Sequence, residues 1–288
     1  MTIENMIKCC DNLTPTENQL AQYILQNKEQ IEKLSIQNLS EKTFVSKSAI
    51  HRFCKKIGVD GFNGLKVRMV QDIVEESKGE NQIDVNFPFA SNDSQGVIAQ
   101  KLLKLYEASI KDTYNSINVE ELNKSAVLLH NAGIIDIYTH AHNINVAENF
   151  QDKMRSIGRM VNCPKSFYEQ RCTATASKRN HVAIILSYSG RATFLPPIVD
   201  ILHKKGTEII WIGRVGTSVA PNYIKHHLYI SDRENLRNRI SQFSSHIAMQ
   251  YMLDVIFSCI FRMDYGRNID YIQEVAGIVD DRNINEEK

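Results

Sequence analysis

The chain has few of the features that mark secreted, zinc-stapled or membrane proteins. Its six cysteines, Cys9, Cys10, Cys54, Cys163, Cys172 and Cys259, form no C-x-x-C and no paired zinc spacing. Neither a disulfide scaffold nor a structural zinc is expected, and free thiols in a reducing cytoplasm are the simple account. No apolar run is long enough for a membrane span. The most apolar late stretch, Tyr251 to Phe261, is broken by Asp254 and preceded by His246 and Gln250, and reads as a buried helix. The opening residues MTIENMIKCCDNLTP contain Glu4 and Asp11 and lack an apolar core, so they read as neither a secretory nor a transit signal. A cytoplasmic location without a membrane partner is expected.

Glycine and proline are also sparse, 13 and 6 in 288 residues, while 43% of the chain is hydrophobic and 23% charged. That composition excludes collagen-like and disordered classes, and the length suits two domains. With a net charge of only +1, global electrostatics select no partner, but the charge is uneven. Lys42, Lys47, Arg52, Lys55, Lys56, Lys66 and Arg68 stand against the single acid Asp60, a local excess of 7 − 1 = +6. Such a patch is a candidate phosphate-facing surface.

The first 77 residues read as all-helical. Thr14-Pro15-Thr16-Glu17 predicts a capped helix start with a capping box, followed by an apolar face of Leu20, Ile24 and Leu25. A second short helix runs from Ser35 through Ile36, Leu39 and Lys42, and a third from Ser46 to Gly58. A fourth, Phe62 to about Ser77, places Leu65, Met69 and Ile73 on one side. The period then breaks in KGENQIDVNFPFASNDSQ, residues 78–95, where Gly79, Pro88 and clustered Asn, Asp and Ser suit a linker.

Helical patterns at 96–118 and 120–131 follow. Beyond them, short apolar runs at 134–138, 160–163, 181–186, 208–212 and 227–230 alternate with helix-length segments. Nearly continuous apolar strands alternating with helices predict a parallel sheet covered on both faces. The expected layout is a helical domain at 1–77, a linker and connecting helix at 78–106, an α/β domain at 107–265 and a C-terminal tail at 266–288.

Positions 35–58 fit a helix-turn-helix, with Thr43-Phe44-Val45 as the corner. In its second helix Ala49, Ile50, Phe53 and Ile57 share the inward face, leaving Lys47, Ser48, His51, Arg52 and Lys55 outward. Outward bases there either read DNA in the major groove or form an ordinary solvated face. The stretch from Leu13-Thr14-Pro15 through Val45-Ser46 and Arg52-Phe53-Cys54-Lys55-Lys56 to Gly61-Phe62 resembles the N-terminal domain of the RpiR family of bacterial sugar-phosphate regulators. Thr43-Phe44 departs from it, since the family more often has a small residue and Gly before the Val-Ser pair. The resemblance implies a regulator, not an enzyme, that binds double-stranded DNA at a palindromic operator as a homodimer or higher homo-oligomer.

In the α/β part, Ser187-Tyr188-Ser189-Gly190-Arg191-Ala192-Thr193 joins the strand at 181–186 to a helix running toward Lys205. Hydroxyls and free amides at such a turn suit an anion, although a Ser-x-Ser-Gly turn is often only a turn. The segment resembles the SIS (sugar isomerase) domain, whose S-x-S-G-x-T loop holds a sugar phosphate. That resemblance extends over about 107–265 and implies a five-stranded parallel sheet in a three-layer α/β domain and a sugar-phosphate effector bound by Ser187, Ser189 and Gly190. The family Thr falls at Ala192, so either Thr193 takes its role or that hydroxyl is missing.

The family's G-x-G-x-S loop after the first strand is here Thr139-His140-Ala141-His142-Asn143, with both glycines gone. Thr139 and Ala141 are expected to narrow the pocket, and Asn143 and His142 to touch the sugar. The His140/His142 pair has no partner at metal spacing and reads as pocket lining or surface, and His246 as either pocket or packing residue. No cofactor and no metal are implied. Two alternatives stay open: a sugar-phosphate isomerase with Glu169 or a histidine as proton shuttle, and a regulator whose SIS domain has lost ligand binding and only dimerises.

Overall fold

The computed structural model describes residues 3–8, 10, 13–77, 83–214 and 223–279. Gly79 of the expected linker, Cys9 and the last part of the expected tail lie outside them. The chain divides into two compact units, 1–104 and 105–288.

The first unit holds helices α1 (Ile3–Lys8), α2 (Pro15–Gln26), α3 (Lys28–Ile31), α4 (Ile36–Thr43), α5 (Lys47–Lys56) and α6 (Gly61–Ser77). Each sequence signal for a start is realised. The Thr14 hydroxyl accepts from the Glu17 amide and Glu17 answers at the Thr14 amide, closing the capping box of α2. Ser35 accepts from the Asn38 amide and Ser46 from the Ala49 amide, so α4 and α5 are both serine-capped. The helices meet in one core that includes Leu20, Ile24, Leu39, Ile50, Phe53, Leu65 and Met69. Leu25 is only partly buried, and the side chain of Ile73 lies outside the described residues. The sequence reading missed α1, whose Ile3 and Ile7 join this core while the Ile3 amide donates to Asp72 at 2.7 Å. Residues 83–94 carry neither helix nor strand, and α7 (Gln95–Ser116) begins after them.

The second unit continues α7 and adds α8 (Val119–Asn131), β1 (Ile134–Tyr138), α9 (Asn143–Arg155), β2 (Val161–Asn162) and α10 (Phe167–Ala176). It goes on with β3 (His181–Leu186), α11 (Leu195–Lys205), β4 (Glu208–Arg214), β5 (His226–Ile230), α12 (Phe243–Met263) and α13 (Tyr265–Val279). The five strands form a parallel sheet in the order β2-β1-β3-β4-β5. Alternate strand residues bury into opposite cores. Ile135, Ile137, Ile184, Ile210 and Ile212 share a core with residues of α9 and α12, while Tyr138, Ile185 and Trp211 meet Leu195, Ile198 and Leu202 of α11. Burial on both faces explains why the strands read as continuous apolar runs.

From β1 the chain moves outward to β2 and then returns to place β3 on the other side of β1. That reversal makes the carboxyl ends of β1 and β3 a topological switch point, where loops diverge and open α/β sheets place their ligands. The fold therefore directs attention to Thr139–His142 and Ser187–Phe194.

Candidate DNA-reading helix and ligand site

In the first unit, α4, the turn at Phe44 and α5 form the helix-turn-helix. Ile50, Phe53 and Cys54 are buried and Ala49 half-buried, which turns Lys47, Ser48, His51, Arg52 and Lys55 to solvent. Ile57 also buries, just past the helix end, and Gly58 closes it at φ +87°. All five expected reading residues thus lie on one exposed face. Three of the other bases are engaged within the chain: Lys56 pairs with Glu17 at 2.8 Å, Arg68 with Asp72 at 3.7 Å, and Lys66 donates to the Leu34 carbonyl. Lys42, Lys47, Arg52 and Lys55 make no ion pair among the described residues, so the unneutralised charge concentrates about α5.

In the second unit the loops after β1 and β3 are stitched together. The buried Thr139 hydroxyl donates to the Leu186 carbonyl at 2.7 Å, and buried Gln170 of α10 donates to the Thr139 carbonyl at 2.6 Å. Thr139 is thereby a loop fastener, its side chain spent on the backbone of β3. Ala141 takes φ +54°, the left-handed conformation for which glycine is the unstrained choice. Beyond β3, Ser187 accepts from the Gly190 amide at 3.2 Å and Ser189 from the Arg191 amide at 3.3 Å, with Gly190 at φ +66°. Ser187, Ser189 and Gly190 therefore share one tight turn. Thr193 is exposed, past that turn and close to the helix start.

Neighbouring elements hold this turn in place. Gly213 of β4 lies so close to Ser187 that a Cβ there would collide with the Ser187 carbonyl oxygen. The Tyr188 hydroxyl both donates to the Glu234 carbonyl and accepts from the Glu234 amide, at 3.1 and 3.0 Å. Glu234 is itself buried, paired with Arg239 and accepting from the Ser245 amide at 2.9 Å and hydroxyl at 2.7 Å. The sequence reading missed this node. An acid followed by arginines just before an apolar helix is its only local signal.

Asn143 opens α9 and is buried, and its Oδ1 has no partner among the described residues. The same holds for Nδ1 of His140 and Nε2 of His142. Burial lowers the pKa of both histidines, and His142 is pushed down to about 4 by burial first, then by Arg239, His246 and His140. Arg239 and His246 therefore lie near enough to His142 for their charge to act on it. No cluster of three or more potential ligands suited to a metal occurs among the described residues.

Two features depart from a simple anion turn. Pro196 and Pro197 follow Leu195 at the start of α11, removing two of the amides that a helix N-terminus ordinarily offers an anion. The sequence carried this signal plainly. Beside them Phe194 stacks on Phe167 at 4.7 Å between centroids and meets His140 edge-on at 5.1 Å, an aromatic group lining the edge of the turn. Glu169, the candidate proton shuttle of the isomerase alternative, is instead the capping-box carboxylate of α10. It accepts from the Ser166 and Lys165 amides, and these bonds lower its pKa, which opposes a role as base.

A helix-turn-helix unit followed by a parallel α/β unit with a Ser-Gly turn at a strand end defines a class of protein: one that joins a DNA-binding fold to an α/β domain. Residues 1–76 match the family described as a helix-turn-helix domain of the rpiR family. An uncharacterized HTH-type transcriptional regulator of Caldanaerobacter subterraneus subsp. tengcongensis is 27% identical over 278 residues, 95% of each chain. The HTH-type transcriptional regulator HexR of Pseudomonas aeruginosa is 22% identical over 218 residues, 76% of this chain and 75% of its own. Among solved structures, Vibrio vulnificus NanR in complex with ManNAc-6P has a TM-score of 0.57 at 17% identity, covering 96% of this chain and 97% of that one. The sugar isomerase domain of an RpiR transcription factor from Sphaerobacter thermophilus has a TM-score of 0.55 at 11% identity, covering 62% and 98%. The chain therefore carries an RpiR-family helix-turn-helix domain followed by a SIS-like α/β domain, the build of an RpiR-type transcriptional regulator.

Proposed function

We propose that a phosphorylated sugar binds at the carboxyl ends of β1 and β3 and controls the affinity of α5 for a palindromic operator, with the protein acting as a homodimer. The observation that carries the ligand is the trio of buried polar atoms on His140, His142 and Asn143 that have no partner among the described residues, beside the Ser187–Gly190 turn. Buried polar groups without partners are rare because each costs about 1–3 kcal/mol. Sugar hydroxyls would satisfy these three, and the phosphate would take the Ser187 and Ser189 hydroxyls with the amides of the turn. NanR, a structural relative, is known in complex with a hexosamine phosphate, which supports the ligand class. Coupling requires different ligand affinities in the DNA-competent and DNA-incompetent states.

Calorimetric titration with hexose, pentose and amino-sugar phosphates tests the reading. Saturable binding of one member, weakened by about 1.5–3 kcal/mol in Ser187→Ala and Ser189→Ala, is expected. A second reading is favoured by Pro196, Pro197 and the Phe167–Phe194 stack, which diminish the anion turn: a domain that has lost its ligand and serves for dimerisation alone. Absence of binding by every sugar phosphate, with the dimer intact, selects it. Turnover of any member would return the isomerase alternative.

A further inference from the structure

The turn between α4 and α5 holds a residue that the helical core does not explain. Phe44 sits at φ +56°, where a residue with a Cβ is strained relative to glycine. With 92% of its surface exposed it is the most exposed large hydrophobic among the described residues. Its neighbours Thr43 and Val45 are buried and fix the turn, while the ring itself adds almost nothing to the packing of the described residues. For stability alone, glycine would be the better residue at this position. Strain and exposure together point outward, to a partner that the ring touches.

The surrounding charge selects that partner. Lys42 and Lys47 flank Phe44 at two and three residues, both exposed and without ion pairs among the described residues, and Arg52 and Lys55 follow on α5. An apolar ring set in a positive field complements a duplex groove, where thymine methyls lie between rows of phosphates, and not an apolar protein patch. When the N-terminal half of α5 enters the major groove, the turn three residues ahead of Lys47 meets the groove wall. We propose that Phe44 contacts DNA, its ring packing on the C5-methyl of a thymine at the edge of each half-site and adding apolar readout to the polar contacts of α5. The inference rests on α5 being the DNA-reading helix.

The test uses the full-length protein and a duplex enriched by it from a pool with a randomised 20-base-pair core, made with thymine or with deoxyuridine, which lacks the methyl. Phe44→Gly should raise the thermal midpoint by roughly 2–5 °C as strain is released. It should also weaken binding to the thymine duplex about five- to tenfold. Replacing thymine by deoxyuridine should weaken the wild type by a similar factor and leave the variant unchanged. Phe44→Asn, a residue that tolerates the left-handed region, should repeat the DNA result and guards against a folding defect in the glycine variant. Equal affinity of wild type and variants for the thymine duplex overturns the contact while leaving α5 as the reader. So does an equal loss by the variants on both duplexes, which would mark a change in turn geometry. If the wild type enriches no duplex, the DNA-reading assignment of α5 falls and the contact falls with it.

Discussion

The candidate reading surface occupies one face of a ten-residue helix, whereas the candidate ligand site gathers loops from β1 and β3, a buried acid from the segment before α12 and aromatic rings from α10 and α11. On α5 the burial of Ile50, Phe53 and Cys54 is enough to expose the reading residues, because helical geometry fixes the opposite face automatically. At the sheet edge no residue is placed by its own element alone. Ser187 depends on Gly213, Tyr188 on Glu234, and Thr139 on Leu186. A site on one helix tolerates substitution around it, while a site assembled from loops transmits every change in its supports.

The largest expected effect tests that dependence. Glu234→Ala removes the buried partner of Arg239 and of the Ser245 amide, and breaking such a pair should destabilise the α/β unit by about 3–5 kcal/mol. Urea unfolding followed by circular dichroism should show the loss, with DNA affinity of the helical unit retained below the transition. A loss under 1 kcal/mol would mean that the node is not the support described.

Arg52→Ala is the counterpart on the helix. Because Arg52 is exposed and outside the core, stability should stay within about 0.5 kcal/mol, while DNA binding weakens by about 1–3 kcal/mol. Anisotropy titrations at several salt concentrations separate a base contact from a phosphate contact, since only the latter reduces the salt slope by about one. Unchanged affinity with intact folding would mean that α5 is turned the wrong way.

Acid distinguishes the two units more gently. His142 titrates near 4 in the folded protein, and an unfolded histidine titrates near 6.5, so between these values the unfolded state binds the extra proton. Its contribution to stability is complete above about pH 6.5 and is lost as pH falls toward 4. The α/β unit should lose on the order of 1 kcal/mol by pH 5 from this group, allowing for its partial exposure. His142→Gln should flatten that part of the denaturation profile. A profile identical to wild type would place the acid sensitivity in other groups.

The smallest effect concerns the prolines. Pro197→Ala returns one amide to the first turn of α11, and phosphate affinity at the Ser187–Gly190 turn should improve by about 0.3–1 kcal/mol if the anion lies on that helix axis. No improvement would separate the anion from the helix terminus and leave the serine hydroxyls and turn amides as its holders.

Much of the architecture was legible because it is local. Thr14, Ser35 and Ser46 act on amides three residues ahead, and the strand at 181–186 is apolar from Val182 to Leu186 because both its faces bury. The short α1 escaped notice because a six-residue helix offers less than two turns of periodicity. The local role of Glu169 was equally legible: Ser166 and Glu169 spell a capping box just as Thr14 and Glu17 do, and the same local rule applies to both.

Spacing within single elements set the starts of α2, α4 and α5, the exposed face of α5, the parallel strands and the serine-glycine turn. Only the tertiary structure decided that β1 and β3 lie side by side at a switch point, that Gly213 gives way to Ser187 and that Glu234 anchors Tyr188. Those facts depend on strand order and on contacts between residues 26 and 46 positions apart, Ser187 with Gly213 and Tyr188 with Glu234. Periodicity and capping act over a few residues and carry no information at that range, so chain packing alone settles them.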